Sequence, residues 1–162
     1  MTINNFSGTH GWLSNFWPSP VRLRMVQFPT VEHAFQAAKV APPTDWITRA
    51  MAPAQGMALE QAQEDAWLEA VAPFQTGTAG QAKRRGRQVE LRPDWEKVKV
   101  DVMRKLLRQK FDNIDLRVAL LNTRPHHLIE GNHWGDTFWG VCDGNGENML
   151  GTLLMEIRRE IA

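Results

Sequence analysis

The sequence predicts one mainly helical domain with a few short strands, and three observations carry that expectation. Apolar residues recur at three- and four-residue spacing through Trp95, Val98, Val102, Met103, Leu106, Leu107 and Phe111, with Lys97, Lys105 and Arg108 on the outer face. The same period returns from Met149 to Ile161, placing Leu150, Leu153, Leu154, Ile157 and Ile161 inward. Strand-like alternation is confined to Val21–Phe28 (VRLRMVQF), which reads as one short half-buried strand. A chain of 162 residues suits a single domain, 1–162, with a substantial core.

The remaining elements follow from local signals. Residues 6–20 (FSGTHGWLSNFWPSP) set Gly, Ser, Asn and Pro among bulky aromatics, predicting an ordered loop pinned by Phe16 and Trp17. Pro29-Thr30 opens a helix to about Val40, with Thr30 as N-cap and Pro42-Pro43 as the stop. Thr44 to Phe74 predicts two modest helices broken at Pro53 and Gly56, with Trp46 and Trp67 facing inward. Thr76 to Gln88 is a short helix leading into a basic turn, and Pro93-Asp94 opens the long helix. A helix over about Asp115–Leu121, a short strand over His127–Glu130 and the Gly-rich loop GNHWGDTFWGVCDGNGEN precede the last helix.

Composition removes several function classes. A net charge of +1 is too small for a nonspecific nucleic-acid binder held by its global field, although a local basic patch stays open. Cys142 is the lone cysteine, so no intramolecular disulfide forms, which suits a reducing cytoplasm. The opening residues lack a signal-peptide pattern, and no apolar run approaches the roughly 20 residues that span a bilayer. The expectation is a cytoplasmic protein with no membrane partner. The histidines and Cys142 lack metal-ligand spacing, so no metal is expected, and no P-loop, dinucleotide-binding or nucleophile-elbow motif is present.

Three constellations carry candidate chemistry. Glu32, Gln36 and Lys39 share one face of the Thr30 helix, since positions i, i+4 and i+7 fall within about 60° of arc. Spacing alone leaves a solvated polar face open; against it, the flanking segment is apolar and small, and buried polar heads need partners. In WGDTFWG, Asp136 lies between Trp134 and Trp139, an acid flanked by flat surfaces that suit a stacked base, or else an Asp turn among core tryptophans. KRRGRQ, Lys83 to Gln88, and Arg92 offer cations for a phosphate, or a solvated basic turn.

Together the segments LSNFWPSP (13–20), FPTVEHAFQAAK (28–39), AKRRGRQVELRPDWEKVKVDVMRKLLRQKF (82–111), LIE (128–130), GDTFWG (135–140) and GNGENMLGTLLMEIR (144–158) resemble the NADAR, or YbiA-like, family. They occur in the family's order and cover most of the chain outside residues 41–81, while the stretch 44–77 is longer than the usual connection. The resemblance implies a YbiA-like helical fold and an N-glycosidase that cleaves a bond between a base and a phosphorylated ribose, with no cofactor. Glu32, Lys39 and Asp136 are the catalytic residues it implies, and Asn15, Phe16, Gln36, Arg87, Trp95, Trp139 and Gly140 the substrate-binding ones. Its small-molecule substrates are phosphoribosyl or ADP-ribosyl compounds, the first reading being the ribosylamino-pyrimidine intermediates of riboflavin biosynthesis. Removal of ADP-ribose from guanine in nucleic acid, and a noncatalytic ADP-ribose- or NAD-binding module, stay open beside it.

Overall fold

Thr30 begins the first helix as the sequence expects, its extended backbone leaving the hydroxyl free to accept the His33 N–H. The resulting helix α1, Val31–Ala37, is buried on every residue, polar ones included. It ends earlier than the prolines suggest. Ala38 and Lys39 form a turn in which the Lys39 N–H donates to the Gln36 carbonyl (3.2 Å), a tighter step than the helical one.

The computed structural model describes residues 1–40 and 56–162, with side chains from Glu64 onward in the second stretch. Pro42-Pro43, Trp46 and Pro53 lie outside the described residues. The described chain divides into two compact units, residues 18–106 and residues 1–17 with 107–162.

In the unit of residues 18–106, the expected single strand is a hairpin. Strands β2, Val21–Leu23, and β3, Val26–Phe28, pair antiparallel, with Arg24 in the left-handed region (φ 53°) at their turn. One extra reversal lets Val21, Val26 and Phe28 all reach the core. Helix α2 spans Gly56–Val71. Trp67 faces inward and carries the Arg24 guanidinium 4.7 Å above its ring. A 3-10 turn, Ala72–Gln75, leads to helix α3, Ala79–Arg85, whose capping box joins Thr78 and Gln81. Helix α3 packs against α1. Helix α4, Trp95–Lys110, contributes Trp95, Met103 and Leu106 to this unit's core.

The other unit opens with β1, Thr2–Ile3, which pairs in parallel with β4, His127–Leu128. A 3-10 helix, Gly8–Leu13, follows β1. Leu13 and Asn15 anchor the loop after it, whereas Phe16 and Trp17 are about two-fifths exposed and do not pin it. The last turn of α4 and helices α5, Ile114–Asn122, and α6, Met149–Glu160, enclose a core of Phe111, Leu120, Leu128, Leu153, Leu154 and Ile157. Strands β5, Gly131–Asn132, and β6, Val141–Cys142, pair in parallel within the Gly-rich stretch. Among the described residues helices carry most of the regular structure and no strand exceeds three residues, the mainly α architecture that the sequence predicts.

Candidate active site

Helix α1 is too apolar and too buried for its polar residues to be a solvated face. Glu32 is 5% exposed and Gln36 4%, so each must find its partner inside the protein. The Gln36 Nε2 donates to Glu32 Oε1 at 2.8 Å, which fixes the carboxylate one helical turn away. The Gln36 Oε1 is buried with no hydrogen-bond partner among the described residues. It packs on Gly86, where any Cβ would overlap it. Gly86 thus sets the room available to Gln36, and through Gln36 the position of Glu32.

His33 locks the same helix from its other side. Its Nε2 lies 3.2 Å from the Gly77 carbonyl and its Nδ1 2.8 Å from the Thr30 hydroxyl. A carbonyl only accepts, so Nε2 carries the proton and Nδ1 accepts from Thr30, which defines a neutral imidazole. Burial pushes the His33 pKa down, against the hydrogen bond to Gly77, and the charge of Arg85 adds to the lowering.

Lys39 leaves the helix on the turn, not on the helix itself, and its backbone is clamped. Its carbonyl accepts the Arg92 N–H at 3.0 Å, and Val40 bridges to Leu91. The ammonium sits 5.8 Å from the Phe35 ring centroid and 5.9 Å from that of Trp95, and those two rings pack at 5.0 Å. Partial burial pushes its pKa down; Glu32 pulls it back up, and Lys83 and Arg87 push it down again. A half-buried amine with a depressed pKa is suited to accept or hold a proton, or to attack as a free amine.

The basic run resolves into separate duties. Arg85 donates to the Pro73 and Thr76 carbonyls (2.6 and 3.1 Å), fastening the 3-10 turn. Arg92 holds Asp94 with two bonds of 2.6 and 2.8 Å. Lys83 and Arg87 are the cations that act on Lys39. Trp95, 5% exposed, is a wall behind Phe35 and Lys39 with little face left for a base.

The other unit gathers Asp136, Trp139 and Gly140 on one loop. Asp136 Oδ1 accepts the Trp139 N–H at 2.9 Å, and Asn132 exchanges two bonds with the Asp136 backbone (2.7 and 3.1 Å). Asp136 therefore builds its own turn with one oxygen. Trp134 is 63% exposed and Trp139 half-buried, so the two do not enclose the acid as equivalent walls. The first N–H groups of α6 and the residues before it bond the 137–140 carbonyls, and Gly140 lies so close to Glu130 that a Cβ would overlap the Glu130 carbonyl. Asn15 is buried and Phe16 exposed on the loop after the 3-10 helix. Sequence reasoning assigned no role to His33, Gly86, Asn132, Lys110 or Glu130.

Helix α1 and the turn after it bury a carboxylate and half-bury a lysine of lowered pKa, groups able to serve acid–base or nucleophilic chemistry. The sequence profile of the NADAR domain matches residues 4–162, so the chain belongs to the NADAR family. It is 36% identical to N-glycosidase YbiA of Shigella flexneri over 166 aligned positions, covering 99% of this chain and 89% of that one. It is 33% identical to a riboflavin biosynthesis protein of Vibrio vulnificus, matching 94% of this chain and 36% of that longer one. The NMR structure of the E. coli protein YbiA superposes with a TM-score of 0.70 at 34% identity, covering 99% of this chain and 83% of that one. The chain is an N-glycosidase by this kinship.

Proposed function

We propose that this N-glycosidase hydrolyses the base–ribose C–N bond of a 5-phosphorylated ribosylamino-pyrimidine, an intermediate of riboflavin biosynthesis. The observation that carries the reading is Lys39, half-buried over the Phe35 and Trp95 rings, whose amine is held below its usual pKa by burial and by Lys83 and Arg87 while the charge of Glu32 opposes them. The same two cations supply charge for a phosphate. The riboflavin-related name of the V. vulnificus relative supports the choice of base.

In the proposed reaction the Lys39 Nζ lone pair attacks C1′ of the sugar as the C1′–N bond to the base breaks. The bonding pair leaves with the base, which takes up a proton. The glycosylamine then opens to an iminium by releasing the ring oxygen, and water activated by Glu32 adds to C1′. Collapse of that adduct frees ribose 5-phosphate and restores the Lys39 amine. Glu32 also stabilises the positive charge that develops at C1′ while the bond breaks.

Borohydride added during turnover is expected to trap a ribosyl adduct on Lys39. Absence of that adduct on an active enzyme overturns the covalent route. Offering the ribosylamino-pyrimidine phosphate and ADP-ribosyl-guanine DNA side by side tests the substrate, and turnover of the DNA alone overturns this choice.

A further inference from the structure

A cleft of about 460 Å³ opens within the unit of residues 1–17 and 107–162, between the first segment of the chain and the C-terminal end of α5. Asn4, Asn5 and Trp12 line it from one side, Asn122, Thr123 and His126 from the other. Its volume is that of a site for a small organic ligand. Its lining shares no residue with the candidate active site.

The wall on the α5 side is fixed from within. Buried Arg158 donates to the Thr123 hydroxyl at 2.7 Å and to the His126 carbonyl at 3.0 Å, and that hydroxyl donates to the Leu120 carbonyl at 2.6 Å. The His126 Nδ1 lies 3.0 Å from the Thr123 carbonyl. A carbonyl only accepts, so Nδ1 donates and Nε2 of the neutral ring is left as an acceptor. On the opposite wall Asn5 Oδ1 accepts both the Ser7 N–H (3.3 Å) and the Ser7 hydroxyl (3.0 Å), which leaves the Asn5 Nδ2 as a donor. Trp12 is half-buried and braced by Phe111 in a T-shaped contact (centroids 6.4 Å apart, planes at 79°), so its indole is a held flat surface. Asn122 adds an amide able to donate or accept.

Apart from His10 and His126, no ionisable side chain lines the cleft, so no lysine or arginine is there to balance a phosphate or carboxylate. A flat surface with a donor on one wall and an acceptor on the other matches an uncharged planar heterocycle whose edge carries both kinds of group. We propose that this cleft is a second binding site that takes an uncharged nucleobase, free or as its nucleoside. Trp12 stacks on the base, Asn5 Nδ2 donates to a ring carbonyl or ring nitrogen, and His126 Nε2 accepts from an amino group or a ring N–H. The assignment does not depend on the reaction proposed for Glu32 and Lys39.

The test adds cytosine, cytidine or ribose 5-phosphate to the full chain and follows 1H–15N spectra. Cytosine and cytidine are expected to shift the Trp12 indole and the Asn5 and Asn122 side-chain amides along one saturating curve per ligand, and ribose 5-phosphate to leave those signals in place. Loss of the stacking surface in Trp12→Leu and of the acceptor in His126→Phe should each weaken cytosine binding about tenfold. Glu32→Gln leaves the cleft intact and should bind cytosine as wild type does. Shifts that do not saturate, or that are unchanged in His126→Phe, overturn the site. Ribose 5-phosphate moving these signals where cytosine does not overturns the choice of an uncharged base. Cytosine binding that vanishes in Glu32→Gln assigns the base to α1 and overturns a second site. If Trp12→Leu does not fold, His126→Phe and Asn122→Ala carry the same comparison, the latter with a smaller loss.

Discussion

Each unit of the molecule places a lysine near a glutamate, and the two pairs differ in what surrounds them. Lys39 is half-buried at the exit of α1, over the rings of Phe35 and Trp95, with the charge of Glu32 favouring its ammonium form and those of Lys83 and Arg87 opposing it. Lys110 is fully enclosed and spends its hydrogen bond on a backbone carbonyl. Burial lowers both pKa values, but only Lys39 retains a path to solvent and therefore to a substrate. The comparison teaches that a depressed lysine pKa does not by itself mark a nucleophile. Access separates the amine proposed to react from the enclosed one.

The largest expected effects lie on Glu32 and Lys39. Glu32→Gln keeps the shape and an acceptor for the Gln36 amide but removes the charge, and kcat should fall by at least about a hundredfold. Lys39→Met should do the same while abolishing borohydride trapping. The pH profile sharpens the assignment. Because the Lys39 pKa is lowered, the free amine accumulates as pH rises through a value below the usual lysine range, and a nucleophile predicts kcat/KM rising across that window. A rate that falls across the same window would instead identify a lysine required as a cation.

A smaller effect is expected where no charge changes at all. Gly86→Ala places a methyl group on Gln36 Oε1, so Gln36 must turn away and release the Glu32 carboxylate it holds. Overpacking of this kind costs about 1–3 kcal/mol of stability. The predicted loss in kcat is about tenfold, and it should disappear as a separate effect in a Glu32→Gln background, since both changes act through one carboxylate. Additive losses in the double variant would show that Gly86 acts elsewhere.

Much of this architecture was legible because it rests on local chemistry. Thr30 caps α1, and the three- and four-residue spacing defines α4 and α6, with Trp95, Met103, Leu106, Leu107 and Phe111 buried as their positions demand. The same spacing also held an unread signal: Lys110 falls three residues after Leu107 and four after Leu106, a charged residue on an apolar stripe. Other features have no local trace. The contact of Gly86 with Gln36 joins residues far apart in sequence, and β1 pairs with β4 through two-residue strands too short to show an alternation. The Asn15–Phe16 loop was assigned to its aromatics because they are large, yet Leu13 and Asn15 hold it. Spacing gave Glu32, Gln36 and Lys39 as a group, and burial of Glu32 and Gln36 excludes the solvated face.

The smallest effect concerns His33, which shares α1 with Glu32 and has no place in the chemistry. Its neutral form is the one that fits, with Nε2–H on the Gly77 carbonyl and Nδ1 accepting from Thr30. The folded pKa is lowered, so between that value and the unfolded value of about 6.5 the unfolded chain binds the extra proton. The stability due to neutral His33 is therefore complete above about pH 6.5 and is lost as pH falls through the window to the folded pKa. Lys110 contributes in a different range, because its folded pKa of about 7 and its higher unfolded one place its window above neutrality. Thermal melts from pH 7.5 to 5 should show Tm falling on the acid side in wild type, and His33→Gln should flatten that limb at a lower overall Tm. The flattened limb in His33→Gln, set against an unchanged one in Lys110→Arg, would place acid sensitivity in the helix that carries Glu32; an unchanged limb in His33→Gln would remove His33 from that role.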